Sequence, residues 1–204
     1  MLIFKVFSAL LSYPTVEMRA ALPEMAAAVM QAPLLEGRER EELLALIDDL
    51  ARGDQLEAEE RYSDLFDRGR ALSLHLFEHL HGDSRDRGAA MVELKQLYEA
   101  AGLDLSSSEL PDYLPVVLEY LSCRDLGEAR EMLVDCAHIL TVIARALIAR
   151  RSPYAAVLQA LLAISGEPRV DPASVPPASD DRGCSRTRRA LPRPGHGCED
   201  AAPP

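Results

Sequence analysis

The chain has 204 residues, with 33 acids against 22 bases and a formal net charge of −11. That balance argues against a general nucleic-acid binder, whose phosphate contacts need a basic surface. Hydrophobic residues make up 48%, enough to bury a core, and aromatics only 5% with no Trp; the Leu- and Ala-rich composition leans towards helix.

Leu2 to Leu11 reads as a short apolar helix stopped at Tyr13-Pro14, because the residue before proline is pushed out of the α region. Lys5 lies inside this apolar start and no small-residue cleavage site follows, which speaks against a signal peptide. Thr15 is positioned to cap a second helix that Pro23 breaks or restarts. Leu43, Leu44, Ile47, Leu50 and Ala51 recur at helical spacing, and Asp54 caps the next helix, carrying Leu56, Tyr62, Leu65 and Phe66. After Gly69, the stretch Leu72 to Leu80 is apolar with interspersed histidines. Asp83 reads as the cap of a helix running to about Ala101, with Gly102 as its stop. Glu109 to Tyr120 reads as a helix with Pro111 in its first turn. Met132, Cys136, Ile139, Leu140, Ile143 and Leu147 mark one long amphipathic helix, and Ser152-Pro153 starts the last, to Ser165.

Composition changes near Gly166. Residues 167–204 hold 8 of the 14 prolines and no aromatic residue, so they read as a disordered tail after a single helical domain of residues 1–166. The tail carries a basic cluster, Arg182, Arg186, Arg188, Arg189 and Arg193. The longest uncharged stretch, Ser152 to Gly166, is 15 residues, short of the roughly 20 a membrane helix needs. The expectation is therefore an all-α bundle of about seven to nine helices with no membrane insertion.

Chemistry-bearing patterns are few. His75-Leu76-Phe77-Glu78-His79 spells H-x-x-E-H, which in inverted zinc proteases places two ligands and a base on one helix face. The third ligand is missing, since no Glu lies between Glu131 and Gly166. The competing account is a helix whose histidines bond neighbouring acids. Cys123, Cys136, Cys184 and Cys198 form no close pair, which points to a reducing cytoplasm rather than a disulfide framework. Cys123 and Cys136 read as small buried hydrophobes, and Cys184, His196 and Cys198 lack metal-site spacing. Phosphate cradles and hydrolase elbows are absent, so a non-enzyme is favoured.

Two stretches differ from ordinary helix filler: Tyr62-Ser63-Asp64-Leu65-Phe66-Asp67-Arg68-Gly69-Arg70 and Glu109-Leu110-Pro111-Asp112-Tyr113-Leu114-Pro115. Acids at a helix start are favoured by the helix dipole, which is one account of Glu109 and Asp112. The other is an acidic rim beside an apolar groove that holds a basic peptide.

The run from Arg61 to Gly88, the Glu109–Pro115 stretch and Ser152-Pro153-Tyr154-Ala155 together resemble the respiratory nitrate reductase delta subunit family, the molybdenum-cofactor assembly chaperones of NarJ type. The resemblance covers most of residues 1–166. It implies an all-helical cytoplasmic chaperone that holds no cofactor permanently. Such a protein binds the N-terminal segment of the apo catalytic (alpha) subunit of nitrate reductase. It keeps that subunit competent for molybdenum cofactor insertion and delays its docking to the membrane subunit. Where the wider group carries Glu-Pro-x-Asp-His, this chain has Glu109, Leu110, Pro111, Asp112 and Tyr113. The residues assigned to client-peptide binding are Tyr62, Phe66, Asp67, Arg68, Arg70, His75, Glu78 and His79, with Glu109, Asp112 and Tyr113. Phe66 and Tyr113 supply apolar contact, and Asp67, Glu109 and Asp112 attract cationic groups. Arg68 and Arg70 either join them or staple the turn to the bundle through acids. Two alternatives stand beside this reading: a zinc hydrolase built on His75, Glu78 and His79, and a generic helical scaffold. Much of the negative charge is local, since residues 36–67 hold 12 acids and 4 bases.

Overall fold

The computed structural model describes residues 1–80, 86–105 and 109–178. Leu2–Leu11 forms helix α1, which buries Ile3, Phe4, Val6, Phe7, Leu10 and Leu11 and ends where Ser12 turns extended ahead of Tyr13-Pro14. α2 (Val16–Ala20) is capped by Thr15, whose side chain accepts from the Met18 N–H at 3.2 Å. Pro23 sits in the first turn of α3 (Leu22–Gln31), where its missing N–H costs nothing. α4 (Gly37–Arg52) turns Leu43, Leu46, Ile47 and Leu50 inward. Asp54 caps α5 (Gln55–Phe66) by accepting from the Glu57 N–H at 2.7 Å. A 3-10 turn (Arg70–Leu72) leads to α6 (Leu76–Leu80) and then α7 (Asp86–Ala100), which ends at Gly102 with φ +75°.

α8 (Leu114–Ser122) and α11 (Ala155–Ser165) are apolar on nearly every face, as central helices must be. α1 lies along α8, and α11 packs against α4, α9 (Leu126–Asp135) and α10 (Ala137–Ala149). The core is continuous from α1 through α8 to α10 and α11. Among the described residues there is no strand, only an isolated antiparallel bridge between His75 and Tyr113.

The all-α expectation holds, with eleven α-helices among the described residues rather than seven to nine. The difference comes from breaks that apolar periodicity does not register. The expected long helix through Met132 and Leu147 is two helices, bent by 69° at Cys136. Cys136 has φ −98° and ψ 5°, and its thiol bonds back to the Met132 carbonyl. The bend lets both halves pack on α11. The helix expected to open at Pro111 begins instead at Leu114, with Pro115 in its first turn. No single helix among the described residues is long and apolar enough to cross a membrane.

Packing also continues past the expected boundary at Gly166, where α11 ends with φ +86°. Arg169 pairs with Glu39 and Glu42 on α4, and Val170 is buried. The Val170 N–H donates to Gln159 Oε1 at 2.9 Å, and Gln159 Nε2 donates to the Val170 carbonyl at 2.7 Å. A 3-10 turn (Pro172–Ser174) follows, and the Ala178 N–H donates to the Ala149 carbonyl at 2.9 Å. The first twelve residues of the expected tail, 167–178, thus form a strap across the bundle. Residues 179–204, His81 and the proposed cap Asp83 lie outside the described residues.

Candidate functional site

Tyr62 and Phe66 stand one turn apart at the end of α5, so both rings face the same side of the helix. Their centroids are 4.8 Å apart. The chain then turns through Asp67 to Gly69 and the 3-10 turn, and Ser73 to His75 run extended. This short segment meets the Glu109–Pro115 stretch. The Leu114 N–H donates to the Leu74 carbonyl at 2.8 Å, and the Leu76 N–H donates to the Asp112 carbonyl at 3.0 Å. The two unusual stretches of sequence are therefore joined backbone to backbone.

Asp112 is 0% exposed. Its Oδ1 lies 3.2 Å from His75 Nδ1, and its Oδ2 accepts the Phe77 N–H of the first turn of α6 at 3.1 Å. Arg87 of α7 reaches 3.9 Å from Asp112 Oδ2 and 3.8 Å from Glu78 Oε1. The rim role expected of Asp112 is thus corrected: a fully buried carboxyl cannot meet a cation arriving from solvent. It holds His75 in place instead.

His75 is half-buried, with its ring against Tyr113 at 5.1 Å. The Tyr113 hydroxyl is 3.0 Å from that of Tyr62. Tyr62 spends its own proton on the Leu11 carbonyl at 2.8 Å, so Tyr113 is the donor between the two phenols. Burial pushes the Tyr62 phenol far above its ordinary value, and burial likewise raises Tyr113. Both remain neutral donors at physiological pH.

Between these groups opens a cleft of about 280 Å³, lined by Tyr13, Tyr62, Phe66, His75 and Tyr113, with Asp67, Ser73 and Leu74. Tyr13 meets Tyr62 edge-on at 5.6 Å, and Tyr154 packs behind Phe66 at 5.3 Å. Asp67 and Glu109 are exposed. A larger apolar groove of about 630 Å³ runs between α3 and α4, but none of its lining residues belongs to either stretch.

The eleven expected site residues divide accordingly. Tyr62, Phe66, Asp67, His75 and Tyr113 line the cleft, and Asp112 supports it from behind. Glu78 and His79 sit beside it on α6, where His79 Nε2 is 2.9 Å from the Ser73 carbonyl. Arg68, just past the end of α5, is exposed and pairs with Asp64 of that helix at 3.0 Å, and Arg70 is exposed on the 3-10 turn. Sequence reasoning missed Tyr13, read only as a helix stop, and Arg87.

The zinc arrangement is not formed. His75 precedes α6 instead of sharing a helix face with His79, and each has a ring nitrogen already engaged. Among the described residues no three His, Cys, Asp or Glu side chains group to hold a metal ion. The cysteine expectation also divides: Cys136 is largely covered, whereas Cys123 is exposed.

Residues 17–160 match the family model described as nitrate reductase delta subunit. The chain is 45% identical over 160 residues to the nitrate reductase molybdenum cofactor assembly chaperone NarJ of Escherichia coli (strain K12), covering 78% of this chain and 68% of the relative. It is 40% identical over 166 residues to the probable chaperone of the same kind, NarW, of that strain, covering 81% and 69%. It is 33% identical over 161 residues to the probable nitrate reductase molybdenum cofactor assembly chaperone NarJ of Bacillus subtilis (strain 168), covering 78% and 86%. These relatives are named as assembly chaperones, not as catalysts.

Proposed function

The chain belongs to the nitrate reductase delta subunit family, and from that premise we propose that it binds the N-terminal segment of the apo catalytic subunit of nitrate reductase. It keeps that subunit open to molybdenum cofactor insertion and holds it back from the membrane subunit until the metal centres are in place. It does so in the cytoplasm and keeps no cofactor of its own.

The observation that carries this reading is the convergence of the two unusual stretches on one aromatic cleft with exposed Asp67 at its edge. An amphipathic client helix lays apolar side chains against Tyr13, Phe66 and Tyr113, while its basic residues meet Asp67 and Glu109. Asp112 acts at one remove, by fixing His75 and the backbone bridge. A chaperone must release its client, so the charges serve encounter and selection more than final affinity.

Titration calorimetry with a synthetic peptide of the client's N-terminal segment tests this. Tyr113→Ala and Asp67→Lys should each weaken binding about tenfold, or about 1.4 kcal/mol, with the helical spectrum unchanged. Undiminished affinity in both variants would place the client elsewhere.

A further inference from the structure

We propose that the face formed by α1 and α3 pairs with the same face of a second copy of this chain, giving a twofold dimer that does not use the aromatic cleft.

The shape of the face comes first. α3 is anchored by Leu22, Met25 and Val29, and it turns Pro23, Ala27 and Met30 outward. On one side of it runs the apolar groove of about 630 Å³ against α4. On the other, against α1, lie two adjoining hollows of about 280 and 420 Å³ that share Leu2 and Ala28. Leu2 is 65% exposed and Met30 57%, so the apolar surface here is open to water. A surface that pairs with itself must offer a ridge and a groove at once, because each copy presents the same patch. α3 is that ridge, and grooves flank it on both sides. Ala26, Ala27 and Ala28 keep the ridge low enough for a second helix to approach closely.

Charge selects the occupant. The chain carries −11 overall, so two copies repel across most of their surface. Residues 1–35, which supply both helices, are neutral, with Lys5 and Arg19 against Glu17 and Glu24. Arg19 is already spent on the Leu50 and Gly53 carbonyls. Lys5 and Glu24 are exposed, line the groove between α1 and α3, and have no ion-pair partner among the described residues. A twofold pair satisfies both charges twice, Lys5 by the partner's Glu24 and Glu24 by the partner's Lys5. A basic peptide or an anionic lipid surface needs an excess of one sign, which this face lacks. Leu2 and Tyr13 stand at opposite ends of α1, and no residue of the α1–α3 groove lines the cleft.

Sedimentation of the full chain across the micromolar range tests this. The parent should pass from monomer to dimer as concentration rises. Lys5→Glu and Glu24→Lys should each raise the dissociation constant about tenfold or more. The double variant, Lys5→Glu with Glu24→Lys, should restore it, with the helical spectrum unchanged throughout. Both side chains are exposed, so neither reversal threatens the fold. A parent that stays monomeric would overturn the dimer. A dimer indifferent to both single reversals, or a double variant no better than the singles, would do the same. Weaker binding of the client peptide by a monomeric Lys5→Glu chain would also overturn it, and would give the face to the client.

Discussion

One carboxyl oxygen of Asp112 lies 3.2 Å from His75 Nδ1 while the other accepts the Phe77 N–H, and the whole side chain is out of contact with solvent. This group reinforces the backbone bridge between two segments 37 residues apart. Asp112→Ala leaves His75 and the α6 amide without their partner, at a cost of roughly 2–4 kcal/mol. Thermal unfolding followed by circular dichroism should show Tm lowered by about 5–15 °C for a domain of this size. Asp112→Asn keeps an acceptor and should lose less than half as much. An Ala variant as stable as the parent would remove Asp112 from this role.

The phenol pair makes a second prediction. Tyr113→Phe removes one donor to Tyr62, whereas Tyr62→Phe strands both the Leu11 carbonyl and the Tyr113 hydroxyl. Urea unfolding should show Tyr62→Phe the more destabilising, by about 1 kcal/mol. The double variant should cost less than the sum of the two singles.

The strap should show itself through pH. Burial alone would raise the Glu39 carboxyl, but the hydrogen bond and charge of Arg169 outweigh it and hold Glu39 below its usual value near 4.5. A depressed acid stabilises the fold above its unfolded pKa, and that contribution is lost as pH falls through the folded value. In Arg169→Met the buried Glu39 has lost this cation, so its pKa rises and the sign reverses. Stability at neutral pH should drop, and the loss of stability between about pH 5 and 3 should flatten. Urea midpoints across that range decide it; parallel curves for variant and parent would contradict the assignment.

Thiol reactivity should separate the two described cysteines. Burial pushes the Cys136 thiol up to about 12, and its Sγ donates to the Met132 carbonyl, whereas Cys123 is exposed at the end of α8. An alkylating reagent at mildly alkaline pH should modify Cys123 well before Cys136 in the native protein. Peptide mass mapping reads this out, and equal rates would refute the packing at the α9–α10 bend.

What could be read from the sequence was what is local. Thr15, Asp54 and Gly102 act within a few residues of themselves, so side-chain chemistry and spacing suffice to place them. The bend at Cys136 escaped because apolar periodicity runs straight through it and tertiary packing on α11 decides the break. Asp112 passed for a helix-start acid because its partners His75 and Phe77 lie 37 and 35 residues away. The strap had a trace in the sequence, since Gln159 is the one amide in an otherwise apolar α11 and is answered by the Val170 peptide group. The candidate residues were read as two separate stretches; that Tyr62, Phe66, Asp67, His75 and Tyr113 line one cleft together with Tyr13 is a property of the fold.

The chain has no tryptophan, and four of its six tyrosines, Tyr13, Tyr62, Tyr113 and Tyr154, belong to the ring cluster around the cleft. The other two, Tyr98 and Tyr120, pair with each other at 5.0 Å, and the Tyr98 hydroxyl donates to the Pro111 carbonyl at 2.9 Å. Most of the chain's tyrosine rings therefore stand around this one cleft. A peptide that enters the cleft should therefore change the intensity of the tyrosine emission, which a fluorescence titration reads. With no tryptophan to drown that signal, the unlabelled chain would itself serve as the probe.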